Sequence, residues 1–523
     1  MKKLLHISID NKELQVESGT TVLQAATQLG IEIPTMCFHP SYSNRPSCMV
    51  CLVKDIPTGK LLPSCALPVA DGMKISASDA DVLEARKEAL ELLLSDHVGD
   101  CEAPCRLTCP AFMDIPNMNR LIAANRFEDA LKKVREEIAL PLILGYVCPA
   151  PCEKACRRAQ IDQAVSICWL KRFTAQDVER IVTNLLVNVE KSNKKIAIIG
   201  TGPGGLAAAF YLLRLGHSCT LFDKADKAGG ALRFHIPEEQ LPREMLDLEI
   251  EIIHKMGASF RLGKEITQEV FDKEIHEQFD AIILATGSHD KDFFKKLNLT
   301  HDKTGLKINK STHETEVEGV FALGNIVRQQ QMAVRAVGQG RITAFSVHEF
   351  LAGRKPTGEH ERFNSAFGKL MEPEFDEYLK ESNTNKRLEP INGYIVGFSP
   401  EEAVKEAKRC LHCDCRKMEN CKLRNHSDTY QANRKRFLGP ERKQLQKHFQ
   451  HENIVYEPEK CIRCGLCVEI TQAEKENFGL TFIGRGFDVR ITVPFNKEIS
   501  EGLIKTGIAC ADACPTGALS IKN

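Results

Sequence analysis

Hydrophobic and polar positions alternate at the start of the chain. Leu5, Ile7 and Ile9 form one apolar run, Asp10-Asn11 breaks it, and Leu14 and Val16 resume it. Period two on both sides of a turn pair predicts a β-hairpin. The stretch "TTVLQAATQLG" follows and predicts a helix that stops at Gly30. "DADVLEARKEALELLLSDH" predicts a long helix, and residues 101–190 read as helical but irregular. Residues 195–350 switch to an α/β pattern that begins with the apolar run Lys195–Ile199. In "FSPEEAVKEAKRC", Ser399 is placed to cap a helix, Pro400 to open its first turn and Glu402 to close a capping box. The charged stretch 354–397 reads as a linker.

Composition narrows the function classes. Lys plus Arg and Asp plus Glu both total 70, so no basic field points to nucleic acid or an anionic membrane. "MKKLLHISID" lacks the apolar core of a signal peptide, and no window approaches 18 uninterrupted apolar residues. The expected location is therefore cytoplasmic, without membrane insertion. In that setting the 21 cysteines read as metal ligands rather than disulfides.

The cysteines are grouped. The first group is Cys37, Cys48, Cys51 and Cys65, a C-x2-C flanked by two distant thiols that suits zinc or an iron–sulfur cluster. The second is His97, Cys101, Cys105 and Cys109, followed by Cys148, Cys152, Cys156 and then Cys168. The third is Cys410, Cys413, Cys415 and Cys421, open to a cluster or zinc. The fourth follows the bacterial ferredoxin pattern C-x2-C-x2-C-x3-C-P. Cys461, Cys464 and Cys467 fill three places, and Cys514-Pro515 supplies the distant fourth. The ligands of a second ferredoxin cluster are mostly replaced, by Thr471, Ile504 and Gly507, with Cys510 left alone. Cys219 reads as core.

The first group and the hairpin before it resemble the amino-terminal [2Fe–2S] domain of the complex I 75-kDa subunit and of [FeFe]-hydrogenases. "LLLSDH" resembles the complex I segment in which a histidine joins three cysteines on a [4Fe–4S] cluster. "CPAFMDIPNMNRLI" and "GYVCPAPCEKACRR" resemble the di-cluster domain of the glutamate synthase small subunit and dihydropyrimidine dehydrogenase. That resemblance implies interleaved ligands: His97, Cys101, Cys105 and Cys156 on one cluster, and Cys109, Cys148, Cys152 and Cys168 on another. "EEAVKEAKRCLHC" resembles the opening helix of the same domain, displaced along the chain.

Gly200, Gly202 and Gly205 form G-x-G-x-x-G between a strand and a helix, with Gly204 inside the loop and Asp223 closing the second strand. This unit suits a dinucleotide: glycines for the turn and close approach, the helix N-terminus for pyrophosphate, the acid for a ribose hydroxyl. "AGGALRFHIPEEQ" with Gly230 and Leu232, and "GVFALGNI" with Gly324 and Asn325, resemble the FAD-binding halves of the glutamate synthase small-subunit flavoproteins. That family carries an inserted NADPH domain. Here "ATGS" precedes Gly305 by only 16 residues, too few for a βαβ unit, and Asn325 stands where the family has aspartate.

The expected architecture is multidomain α/β and α+β. It comprises a β-grasp [2Fe–2S] ferredoxin domain (1–79), a helical domain with two [4Fe–4S] clusters (80–190), a Rossmann-like FAD domain (191–353), a linker and cysteine-rich helical segment (354–455), and a ferredoxin-like [4Fe–4S] domain (456–523). The expected cofactors are FAD, one [2Fe–2S] and three [4Fe–4S] clusters, with a fourth or zinc at Cys410–Cys421. The expected role is an oxidoreductase passing electrons between flavin and clusters to a partner subunit or ferredoxin-like carrier. The alternative is a self-contained flavoenzyme oxidising NAD(P)H or a small substrate directly at FAD. No residue pattern identifies a catalytic acid, base or nucleophile.

Overall fold

The computed structural model describes residues 3–43, 45–176, 189–288, 299–359 and 361–522. The chain divides into two compact units. The first holds 1–103, 362–381 and 412–523, and the second holds 104–361 and 382–411. The stretch read as a linker is thus shared between them and is mostly exposed or half-buried, with Glu374 fully buried in the first unit and paired with Arg442.

The first unit opens with β1 (Leu4–Ile9) and β2 (Lys12–Glu17), antiparallel in the register Ile9↔Lys12. Asp10 and Asn11 both have positive φ, 46° and 64°, as a tight two-residue hairpin turn requires. The helix Val22–Gln28 is capped by Thr21 with Gln24 in a capping box, and the chain leaves it through Gly30 at φ 69°. β3 (Leu52–Asp55), β4 (Leu61–Pro63) and β5 (Met73–Ser76) complete a five-stranded sheet ordered β2-β1-β5-β3-β4, with β1 and β5 parallel. Ile7, Ile9, Val16, Val22, Val53 and Ile75 form its core together with Cys51 and Cys65. The helix Ala80–Asp96 follows and ends at His97.

The second unit is built on a parallel sheet. β6 (Lys195–Ile199), β7 (Ser218–Phe222), β8 (Ser259–Arg261), β9 (Ala281–Leu284) and β10 (Val320–Ala322) run in the order β10-β9-β6-β7-β8. β6 and β9 are buried along nearly their whole length, as the centre of a parallel sheet must be. Helices Pro203–Arg214 and Ala333–Leu351 cross closely because small residues meet there. A Cβ on Gly340 would lie 2.7 Å from Gly204 O and 2.8 Å from Ala207 Cβ. Short helices precede the sheet, among them Pro104–Thr108, Pro141–Val147, Pro151–Lys154 and Ile167–Thr174. The helix Pro400–Ala407 has the capping box of Ser399 and Glu402.

The last part of the first unit carries β11 (Ile454–Tyr456) paired antiparallel with β14 (Leu519–Ile521). Between them lie a ribbon of β12 (Thr481–Ile483) and β13 (Arg490–Thr492) and the helices Leu466–Ala473 and Gly507–Ala513. Among the described residues no helix is long and apolar enough to cross a membrane.

Candidate redox centres

In the first unit the structure gathers Cys37, Cys48, Cys51 and Cys65 beside the five-stranded sheet. Cys37 Sγ stands 3.4 Å from Cys48 Sγ. Hydrogen bonds from the Cys48 thiol, then from Cys65, hold Cys37 well below the usual thiol range. Cys51 is held at about 6, chiefly by Cys65. The same contact raises Cys48, so in the absence of a bound cation one thiol of the pair carries the charge and the other the proton.

Cys461, Cys464, Cys467 and Cys514 line one cavity with Tyr456, Ile462 and Leu466. Burial pushes Cys461 up to about 12 and raises Cys464 and Cys467 further, so without a bound cation these thiols stay protonated. The lost second ferredoxin site is filled by protein. Thr471 Oγ1 accepts from Leu480 N at 3.1 Å and donates to Val468 O at 3.0 Å. A Cβ on Gly507 would meet His451 Nε2 at 2.8 Å. Cys510 is fully buried, 3.8 Å from Cys467 O, as core.

His97 and Cys101 belong to the first unit, whereas Cys105 and Cys156 belong to the second. The expected set His97, Cys101, Cys105 and Cys156 is thus shared out between the two units. Within the first unit Cys415 N donates to Cys101 O at 3.1 Å, and Cys421 is within electrostatic reach of both Cys415 and Cys101. Lys460 lies beside both Cys415 and His97. His97 Nδ1 donates to Lys460 O at 3.0 Å, which leaves Nε2 as the lone-pair nitrogen. Burial holds His97 at about 4, so the ring is neutral as a ligand must be. The third sequence group is likewise divided: Cys413, Cys415 and Cys421 lie in the first unit and Cys410 in the second.

These groups adjoin within the first unit. Cys464 packs against the cluster that holds Cys37, and Cys421 Sγ stands 3.7 Å from Pro515 O, next to Cys514. Cys37, Cys48 and Cys421 share one apolar cluster with Leu90, Leu94 and Leu423, and Cys464 packs against it.

In the second unit Cys109, Cys148, Cys152 and Cys168 converge. The Cys168 thiol donates to Cys148, which holds Cys148 at about 6, and Cys152 feels both Cys148 and Cys109. Lys171 sits among the four, a residue the sequence gave no reason to single out. Cys156 lies two residues before Arg158, whose Nη1 donates to Arg409 O at 3.2 Å beside Cys410. The helix carrying Cys105 packs on the helix carrying Cys152.

The glycine loops meet at the carboxyl edge of the parallel sheet. A Cβ on Gly200, at φ 113°, would meet Ala285 O at 2.3 Å; one on Gly230 would meet Gly202 Cα at 2.8 Å; one on Gly204 would meet Leu323 Cδ1 at 2.2 Å. Gly200–Gly205, Gly230–Leu232 and Gly324–Asn325 are therefore drawn to one place. Around Gly202 and Gly324 the Cβ position is open, and no side chain caps the helix Pro203–Arg214. That is the cradle a pyrophosphate needs. Asp223 Oδ2 accepts from Thr201 N at 2.8 Å and Thr201 Oγ1 at 2.6 Å, with lone pairs to spare for a ribose. Asn325 Oδ1 accepts from Gln330 N at 3.0 Å, which leaves its amide as the donor toward a ligand.

The donor sets fit clusters and a dinucleotide. Among the described residues no His, Cys, Asp or Glu group is placed to hold a single metal ion.

Family comparisons agree in chain order. Residues 2–80 match a 2Fe-2S iron-sulfur cluster binding domain, 85–181 match dihydropyrimidine dehydrogenase domain II, 4Fe-4S cluster, and 175–340 match pyridine nucleotide-disulphide oxidoreductase. The chain is thus similar over residues 2–340, in chain order, to two iron–sulfur domains and a pyridine nucleotide-disulphide oxidoreductase domain. Among curated relatives it is 37% identical over 239 residues to the NADPH-Fe(3+) oxidoreductase subunit beta of Geobacter sulfurreducens, covering 44% of this chain and 34% of the relative. It is 38% identical over 181 residues to the glutamate synthase [NADPH] small chain of Bacillus subtilis, covering 34% and 37%. It is 33% identical over 207 residues to the NAD-dependent dihydropyrimidine dehydrogenase subunit PreT of Salmonella typhimurium, covering 39% and 49%. The chain thus spans between a third and a half of these relatives' lengths.

Proposed function

We propose that the chain is an electron-transfer flavoprotein subunit that connects a flavin to a row of iron–sulfur clusters. The observation that carries this reading is the adjacency of thiol groups within the first unit: Cys37 to Cys464, and Cys514 to Cys421. Isolated zinc sites give no reason for such contiguity; a path for single electrons does.

In this reading Cys37, Cys48, Cys51 and Cys65 hold a [2Fe–2S] cluster, and Cys461, Cys464, Cys467 and Cys514 a [4Fe–4S] cluster. His97, Cys101, Cys415 and Cys421 hold a second [4Fe–4S]. In the second unit Cys109, Cys148, Cys152 and Cys168 hold a third. Cys105, Cys156 and Cys410 serve a fourth there. FAD lies on the glycine loops, with Asp223 toward its ribose and Asn325 toward its ribityl chain. FAD supplies the conversion between two-electron and one-electron chemistry, and the clusters supply one-electron transfer. The protein's own part is to bind, orient and exclude water. Tyr456, Ile462 and Leu466 wall one cluster site. The helix Ala333–Leu351 lies against the loop after Cys109, where a Cβ on Gly338 would meet Pro110 O at 2.4 Å. This close backbone approach links the flavin side of the second unit to its thiol group.

The relatives' names carry NADPH or NAD, so direct nicotinamide oxidation is the competing reading. The short span between "ATGS" and Gly305 favours a partner as the electron source; residues 289–298 of that span lie outside the described residues. Anaerobic mixing of the loaded chain with NADPH or NADH separates the two. Slow or absent flavin bleaching without a partner is expected. Bleaching within the mixing time would overturn the partner-fed reading.

A further inference from the structure

We infer that Lys171 is a positioning residue that raises the reduction potential of the cluster held by Cys109, Cys148, Cys152 and Cys168, by placing a fixed positive charge inside that ligand set. The inference rests on the ligand assignment above and goes beyond it.

Cys168 and Lys171 are one turn apart on the helix Ile167–Thr174 and point to the same place. Lys171 is 4% exposed. Its Nζ donates to Leu144 O at 3.1 Å and stands 3.9 Å from Cys168 Sγ. A lysine ammonium at this position is held between a carbonyl oxygen and a thiol sulfur, away from bulk water. The carboxylates nearby are engaged elsewhere. Glu249 accepts from Arg135 at 3.2 Å and from the amides of Leu142 and Ile143. Glu153 accepts from Cys168 N at 2.9 Å and pairs with Arg387 at 2.9 Å. The adjacent Arg172 turns to the Tyr146 ring, 3.6 Å from its centroid.

Lys460 in the first unit provides the contrast. It too is buried beside a thiol, but Glu457 Oε2 stands 2.7 Å from its Nζ and cancels its charge locally. Among the described residues no carboxylate is ion-paired with Lys171, so its field falls on the neighbouring thiols. Adding one electron to a thiolate-bound cluster makes the site more negative. A buried cation within a few ångströms favours that reduced form, and the low-dielectric surroundings screen it little.

The test is an anaerobic redox titration of the intact, loaded chain, followed by paramagnetic resonance of the reduced clusters. Cys168→Ala identifies the signal: it should abolish or alter one [4Fe–4S] spectrum. If Cys168→Ala changes none, the ligand assignment itself fails. Lys171→Gln keeps a donor for Leu144 O but removes the charge. It should lower the midpoint of that one signal by at least 59 mV, a tenfold shift in a one-electron equilibrium, and leave the other midpoints in place. Lys171→Arg should restore it. An unchanged midpoint in Lys171→Gln, with the Cys168-dependent signal intact, would overturn the inference and leave Lys171 a packing residue. If Lys171→Gln loses that cluster by iron count, retention of it in Lys171→Arg supports the charge, and loss in both overturns it.

Discussion

At the residue scale, two thiols that the Cys-Pro pattern sets apart in the sequence are also set apart in the structure. Cys510 and Cys514 are four apart, and only Cys514 lines the cavity shared with Cys461, Cys464 and Cys467. Cys514→Ala should remove one [4Fe–4S] cluster by iron analysis. Cys510→Ala should retain every cluster and cost about 1 kcal/mol of stability as a small core truncation. His313 makes a pH prediction of known sign. Burial holds it at about 4 against an ordinary 6.5. Its Nδ1 donates to Thr343 Oγ1 at 2.7 Å, because that hydroxyl already donates to Gln339 O. A depressed histidine stabilises the fold fully above its unfolded value and loses that contribution as pH falls through the folded one. The thermal midpoint should therefore drop between pH 6.5 and 4, and His313→Gln should flatten that slope. The charge state and surroundings of such groups are not legible in a sequence. Lys171 and Lys460 read there as ordinary surface lysines, and only the fold buries them.

At the element scale, the strand–loop–helix from β6 to Arg214 was the most legible part, because its glycines are fixed by backbone contacts that the motif itself encodes. A Cβ on Gly205 would lie 2.1 Å from Gly200 O, inside the loop. Gly205→Val should cost on the order of 3 kcal/mol and release the flavin, read as bound flavin per chain after gel filtration. Gly338 is a different case. Nothing in "AVGQGRITAF" marks it, because its constraint is Pro110 O, more than 200 positions away. Gly338→Val should leave the glycine loops intact while lowering the thermal midpoint, by about 1–3 kcal/mol of overpacking. The hairpin turn at Asp10-Asn11 and the capping box of Ser399 and Glu402 were legible for the same local reason as the glycine loop.

At the scale of the whole molecule, the grouping of thiols was readable from spacing and the kinds of module from resemblance, whereas which thiols share one compact unit was not. Sequence order suggests that neighbours such as Cys101 and Cys105, or Cys410 and Cys413, serve together. The division into two units puts the members of each pair on different sides. The proposed set of His97, Cys101, Cys415 and Cys421 takes its members from both sides of the segment 104–411, which sequence order alone keeps apart. The whole account rests on the chain being a conductor that stores electrons at one flavin and several clusters. An anaerobic reductive titration of the intact, loaded chain, counted in electrons per flavin, tests this most directly. Two electrons at the flavin and one at each of five clusters predict uptake of about seven, with iron and sulfide in cluster proportion. Uptake of only two electrons by a chain that holds zinc and no sulfide would contradict it.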